Sequence, residues 1–272
     1  MLNIIHPDSA GVPAADRGLA YGDGLFETIR MRGRKAVLRS LHLDRMVADA
    51  GRLGIPVRRD DLDAEITRSG REAARRYGSD DWVLKLVLTR GVGGRGYRLP
   101  AECEPSLIVT SSAMPALPDP VGVVVALAQF PLTVNPRLAG IKTLNRLEQV
   151  MASSEFSGEE FELIMADTDG NLVEGTRTNL FVRLENEWIT PPVQGLAVAG
   201  VMRQYALKCL RAAGHKVREQ AIPPSLLSSP GLRGLYVLNS VIGVAPVRRM
   251  DGVDLPVDDG LETICDPLQT LE

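Results

Sequence analysis

Aromatic residues are scarce in this chain. Two Trp, five Tyr and five Phe make up 4% of its 272 residues, which leaves few platforms on which nucleic-acid bases could stack. Basic charge is not in excess either. Thirty-one Lys and Arg stand against 34 Asp and Glu, for a net charge of −3 and a pI near 5.8. A nucleic-acid backbone or an anionic membrane surface calls for the opposite balance, so neither partner is expected. Cys103, Cys209 and Cys265 are odd in number, far apart and without a CxxC pair. That pattern argues for reduced thiols in a cytoplasmic protein and against a zinc site. His6 and His215 are isolated, without metal-ligand spacing, and no metal is expected. Long apolar runs are missing as well. A stretch such as Val121 to Leu127 is far too short to span a bilayer. The N-terminus shows no charged segment followed by an apolar run, so no signal peptide is expected.

What is present suits an α+β chain of two domains. Residues 1–112 form the expected smaller N-terminal domain. Residues 113–120, in the three-proline stretch Ser111 to Pro120, form the linker, and residues 121–272 the larger domain that carries Lys142. Phe26, Thr28, Ile29 and Met31 lead to a turn at Arg32-Gly33-Arg34-Lys35, from which Ala36-Val37-Leu38 returns as a hairpin. Leu43, Met46, Val47, Ala50 and Leu53 recur at helical spacing, with Ser40 as the expected cap and Gly54 as the stop. A second helix is expected from Asp61 to Arg76, and strands over Trp82 to Thr89 and Ser106 to Thr110. Glu162 to Asp167, Leu172 to Glu174, Asn179 to Leu184 and Glu187 to Thr190 read as an antiparallel meander with turns at Asp169-Gly170 and Glu185-Asn186. Val201 to Ala213 reads as an amphipathic helix; Leu235 to Asn239 and Val244 to Arg248 read as strands.

Three segments carry chemistry. The first is Gly140-Ile141-Lys142-Thr143-Leu144-Asn145-Arg146-Leu147-Glu148-Gln149. A lysine kept from water loses its charge more readily, and its neutral amine can form a Schiff base. The second is Gly170-Asn171-Leu172-Val173-Glu174-Gly175-Thr176-Arg177-Thr178-Asn179-Leu180-Phe181, in which Glu174 ends an apolar strand. The third is Asp16-Arg17-Gly18-Leu19-Ala20-Tyr21-Gly22-Asp23-Gly24-Leu25-Phe26-Glu27-Thr28-Ile29. Gly200-Val201-Met202-Arg203 adds a helix start, whose free N–H groups suit a phosphate. No Walker loop is present, nor a GxGxxG at a strand–helix junction.

Together, over roughly residues 14 to 250, these segments resemble the fold-type-IV pyridoxal-phosphate enzymes (D-amino acid aminotransferase-like). That superfamily includes branched-chain and D-amino acid aminotransferases and aminodeoxychorismate lyases. Thr89-Arg90-Gly91-Val92-Gly93-Gly94-Arg95-Gly96-Tyr97, Leu144 to Val150 and Gly200 to Gln204 favour the lyase branch. The resemblance implies pyridoxal 5'-phosphate as cofactor, Lys142 as its attachment point and proton-transfer base, and Glu174 on the pyridine nitrogen, where a carboxylate keeps the ring protonated. It implies a phosphate held by the Val201 and Met202 amides, Ser240 with Asn239 beside it, and Arg45. It also implies a homodimer in which the glycine-rich segment reaches the partner's site, a small-molecule substrate, and conversion of 4-amino-4-deoxychorismate to 4-aminobenzoate and pyruvate, a step toward folate. An aminotransferase of the same fold is the alternative. The glycines around Arg95 and Tyr97 either bring these residues onto a dicarboxylate substrate or mark a surface hairpin. Arg177 either points away from the cofactor or pairs with a substrate carboxylate. Thr28 either relays a proton or is an ordinary strand threonine.

Overall fold

A computed structural model of the protein describes residues 2–6, 11–78 and 80–271. Two compact units emerge. The first comprises Met1–Pro115, Lys142–Asn145 and Leu268–Glu272; the second comprises Ala116–Ile141 and Arg146–Pro267.

In the first unit β1 (Asn3–Ile5), α1 (Arg17–Tyr21), β2 (Gly24–Arg32), β3 (Lys35–Ala36), α2 (Arg39–Leu53), α3 (Arg59–Tyr77), β4 (Asp81–Thr89) and β5 (Ser106–Ala113) follow one another. The sheet order is β1-β5-β4-β2-β3. Its central pairs are antiparallel, and β1 joins β5 in parallel. Strand alternation builds the core. Leu25, Ile29 and Met31 of β2 and Trp82, Leu84, Leu86 and Leu88 of β4 share one face, against which Leu43, Met46 and Ala50 of α2 and Leu62 and Ile66 of α3 pack. The helical spacing read from the sequence is thus the buried stripe of α2. Gly54 ends that helix as expected, in a left-handed conformation (φ 65°) with its N–H bonded to the Ala50 and Gly51 carbonyls. The expected Ser40 cap is not used. Leu38 holds the N-cap position at φ 55°, and its N–H donates to the Thr270 hydroxyl at 3.0 Å, so the helix starts one residue before Ser40.

The second unit contains β6 (Val123–Leu127), α4 (Leu147–Ser153), β7 (Glu162–Ala166), β8 (Leu172–Gly175), β9 (Asn179–Leu184), β10 (Trp188–Thr190), α5 (Val201–Ala212), β11 (Val217–Glu219), β12 (Leu232–Asn239), β13 (Gly243–Met250), β14 (Val253–Asp254) and α6 (Gly260–Ile264). β7 to β10 form the expected antiparallel meander. Its first turn is set by Asp167, whose Oδ1 accepts the Asp169 and Asn171 N–H groups, and by Gly170 at φ 81°. The sheet runs β11-β10-β9-β12-β13-β6-β7-β8, and an added β8–β9 pair closes β9, β12, β13, β6, β7 and β8 into a ring. Leu180, Val182, Leu235, Val237, Ala245 and Val247 lie in its core. No helix among the described residues is long and apolar enough to cross a membrane.

Candidate active site

Lys142 belongs with the first unit because its segment pairs with the free edge of β2. Lys142 C=O accepts the Phe26 N–H at 3.0 Å, Leu144 N–H donates to Gly24 C=O at 3.0 Å, and Leu25 faces Thr143 in a β-bridge. The Asp49 carboxylate of α2 accepts the Lys142 backbone N–H. The peptide on either side of the lysine is therefore fixed, and the amine stands 4.2 Å from the centroid of the Phe26 ring. Lys85 Nζ lies 5.0 Å from the same centroid. Phe26 and Thr28 alternate with the core residues of β2, so Thr28, half-buried, shares the Phe26 face and sits opposite Lys85 in the ladder. Lys142 itself is half-buried.

The core face of β2 has one polar intruder, Glu27, between Leu25 and Ile29. It is 1% exposed. Arg45 donates to it through Nε at 2.7 Å and Nη2 at 2.5 Å, and His42 Nδ1 lies 2.5 Å from Oε2. His42 and Arg45 reach the same carboxylate because they are three apart on α2. Burial alone would raise the Glu27 carboxyl; Arg45 and His42 overcome that and hold it down to about 2. Burial pushes the His42 imidazole the other way, below its usual range, in spite of Glu27. A neutral ring beside an ionised carboxylate carries its proton on Nδ1. Arg45, expected at a phosphate, is thus tied to Glu27. Glu27 lies 18 residues from Arg45 in sequence, too far for local spacing to pair them.

The glycine-rich segment is docked rather than loose. Arg17, buried, donates to the Gly96 carbonyl at 3.0 Å and lies 4.9 Å from the Tyr21 ring centroid. Tyr21 OH accepts the Gly96 N–H at 3.1 Å, and Gly93 N–H donates to Ala15 C=O at 3.3 Å. Asp23 joins Arg17 to Arg90. On this anchored loop Arg95 is exposed, and Tyr97 is 85% exposed with its ring edge-on to Tyr21.

In the second unit Glu174, the penultimate residue of β8, pairs with Met165 and Asn179. It is 3% exposed, and its Oε2 accepts the Val198 N–H at 3.2 Å. Asn179 holds the same stretch from the other side. Its Nδ2 donates to Val198 C=O at 3.0 Å and its Oδ1 accepts the Gly200 N–H at 3.1 Å. A Cβ on Gly200 would lie 2.1 Å from that oxygen, so a side chain at the head of α5 would displace the Asn179 amide. The helix start has no side-chain cap, and the Val201 and Met202 side chains are buried. What these two positions offer a ligand is backbone N–H. Arg203, next on the helix, turns inward to Thr190, Pro191 and Glu219.

Asn239 and Ser240 open the turn between β12 and β13. Asn239 Oδ1 accepts the Val241 and Ile242 N–H groups at 2.9 Å each, and its Nδ2 donates to the Arg177 carbonyl at 3.1 Å. Its amide shapes the turn that carries Ser240, which is buried at 9% exposure. The Arg177 side chain lies at the surface, donating to Phe161 C=O at 2.7 Å with its guanidinium 5.1 Å from the Phe161 ring centroid. Among the described residues no group of three or more His, Cys, Asp and Glu could hold a metal.

Comparison with known proteins gives a consistent picture. The family model for amino-transferase class IV matches residues 24–250. The chain is 30% identical to the aminodeoxychorismate lyase of Vibrio harveyi, over 91% of this chain and 90% of that one. It is also 30% identical to a putative branched-chain-amino-acid aminotransferase of Methanocaldococcus jannaschii, over 92% and 86%. The crystal structure of 4-amino-4-deoxychorismate lyase from Pseudomonas aeruginosa matches with a TM-score of 0.88 and 35% identity, over 96% of this chain and 95% of that one.

Proposed function

Because the chain belongs to the class IV aminotransferase family, we propose that it is a pyridoxal-phosphate-dependent lyase that converts 4-amino-4-deoxychorismate to 4-aminobenzoate and pyruvate. The observation that carries this reading is the 35% identity, over nearly the whole of both chains, with the Pseudomonas lyase. The product places the reaction on the way to folate. A cytoplasmic setting suits three cysteines that are all free thiols.

The residues present fit the cofactor. A buried carboxylate at Glu174, an uncapped helix start at Val201 and a half-buried amine at Lys142 are the groups it needs. When bound, pyridoxal phosphate supplies an electron sink for the carbon that bears the substrate amine. Lys142 supplies the attaching amine. It then takes the proton from that ring carbon; the ring C–O bond breaks, enolpyruvate leaves with its ether oxygen and takes up a proton as pyruvate, and the ring is left aromatic. Glu174 keeps the pyridine nitrogen protonated. The Val201 and Met202 N–H groups and the Ser240 hydroxyl hold the phosphate; Arg45 contributes there only through the part of its guanidinium not bonded to Glu27. Asn239 acts through the turn that carries Ser240. Thr28, on the Phe26 face, serves as a proton relay. Arg95 and Tyr97 contact the substrate. Arg177 takes that role only by leaving Phe161.

The alternative reading, an aminotransferase for D- or branched-chain amino acids, is favoured by the Methanocaldococcus relative. The readings part on one observable. The lyase releases pyruvate from 4-amino-4-deoxychorismate with no keto-acid acceptor present; an aminotransferase does not.

The active form is a homodimer. Leu147, Val150 and Met151 of α4 are 72%, 60% and 43% exposed on one side of the helix, an apolar ridge that a second copy would cover. Light scattering of the loaded protein should give the mass of two 29.5 kDa chains. A mass of one chain at the assay concentration contradicts the dimer.

A further inference from the structure

One buried acid in the second unit has no part in the chemistry above. Glu162 opens β7 and is 0% exposed. Its Oε1 accepts the N–H of Leu163 and of Thr176 at 3.0 Å each, and the Thr176 hydroxyl at 2.6 Å. Its Oε2 accepts the Arg177 N–H at 3.3 Å and the Thr178 hydroxyl at 2.9 Å. All but the first of these donors belong to the turn between Glu174 and Asn179. The turn closes on itself through Gly175 N–H to Thr178 C=O at 2.7 Å. A Cβ on Gly175 would lie 2.3 Å from Thr178 Oγ1 and 2.6 Å from the Glu162 carboxyl carbon. Any side chain at 175 would therefore have to push the Glu162 carboxylate or the Thr178 hydroxyl out of place.

Besides its bonds back to β7 through Leu163 and to Phe161, the turn has two attachments that run to the proposed phosphate site. The Arg177 carbonyl accepts from Asn239 Nδ2, beside Ser240. Asn179, the first residue after the turn, bonds Val198 and Gly200 at the head of α5. The two arms that would hold the phosphate, Gly200 to Met202 and Asn239-Ser240, are far apart in sequence. The 176–179 segment is bonded to both, and Glu162 fixes that segment from behind.

We propose that Glu162 is a positioning residue that sets the spacing of the two phosphate-binding arms. The proposal rests on the reading of Val201, Met202 and Ser240 as the phosphate site. A positioned cradle discriminates by phosphate, so the measured quantity is the affinity of the full-length chain for pyridoxal 5'-phosphate against that for pyridoxal, which lacks the phosphate. Glu162→Gln keeps one acceptor oxygen but turns an NH2 group toward either the Arg177 N–H or the Leu163 and Thr176 N–H pair. Its affinity for pyridoxal 5'-phosphate should fall by about tenfold or more, the effect of losing a hydrogen bond to a charged group. Affinity for pyridoxal should stay within about twofold, because backbone bonds at Glu174 are retained. Thr178→Val removes a single hydroxyl at nearly constant volume and should show the same selective loss at about threefold. This variant carries the test if Glu162→Gln does not fold. If both forms of the cofactor weaken equally, or neither does while wild type prefers the phosphorylated form, the proposal is wrong and the phosphate reading stands. If wild type binds both forms alike, the phosphate reading fails and takes the proposal with it.

Discussion

Lys142→Ala should lower turnover by roughly 10⁴-fold or more, since it removes both the attaching amine and the proton-transfer base. The backbone groups at residues 142 and 144 are held by Phe26 N–H, Gly24 C=O and the Asp49 carboxylate, so the substitution leaves the segment in place and removes the side chain beyond Cβ. Thermal stability should therefore change little, which separates this loss from unfolding. Lys142→Arg should not restore activity, because a guanidinium stays charged at any working pH and is no nucleophile. Borohydride reduction of the loaded wild-type protein should leave the cofactor on the peptide that contains Lys142. Label on another lysine such as Lys85, which shares the Phe26 ring, or activity in Lys142→Ala within about a hundredfold of wild type, would overturn the assignment.

The largest stability effect should come from Glu27→Gln. The carboxylate sits in the apolar face of β2, and two Arg45 bonds and His42 converge on it. Taking its charge away removes the buried carboxylate to which the Arg45 guanidinium is doubly bonded. Breaking such a pair from one side costs about 3–5 kcal/mol, a large share of the roughly 5–15 kcal/mol that holds a domain together. Urea denaturation reads it directly, and a loss below about 1 kcal/mol would mean the pair behaves like a surface one. The pH dependence has a definite sign. The folded carboxyl titrates at about 2, below its ordinary 4.5, so its stabilisation is complete above pH 4.5 and is lost as pH falls toward 2. His42 acts in the same direction: its folded value lies below 6.5, so acidification below that point favours the unfolded chain. Glu27→Gln should remove the acid limb between pH 4.5 and 2 that belongs to the carboxyl.

The local periodicities were legible in the sequence, and the long-range hydrogen bonds were not. The α2 stripe, the Gly54 stop and the β7–β10 meander follow from spacing and turn chemistry within a few residues. Ser40 misled because Leu38 takes the N-cap position, and the hydroxyl that accepts its N–H, on Thr270, lies at the other end of the chain. Sequence position put Lys142 in the second half, yet its segment pairs with β2, and no local pattern encodes that pairing. Glu27 and Glu162 were passed over although each leaves a trace. Glu27 breaks an alternation of core residues, Leu25, Ile29 and Met31, while His42 and Arg45 recur three apart among the apolar positions of α2. Glu162 stands at the mouth of an otherwise apolar strand and ahead of a turn rich in hydroxyl and N–H donors. A carboxylate inside an apolar pattern is costly unless partnered, so an acid in such a place is itself a signal. Apart from the adjacent Leu163 N–H, the partners of Glu27 and Glu162 lie 14 to 18 residues away, beyond any reading of local spacing.

The central claim is tested most directly by incubating the cofactor-loaded protein with 4-amino-4-deoxychorismate alone and quantifying both products. Equal amounts of 4-aminobenzoate and pyruvate, over many turnovers per site and with no keto acid added, are the predicted result. Absence of both products, together with amino transfer from D- or branched-chain amino acids to 2-oxoglutarate by the same preparation, would contradict the lyase and establish the aminotransferase.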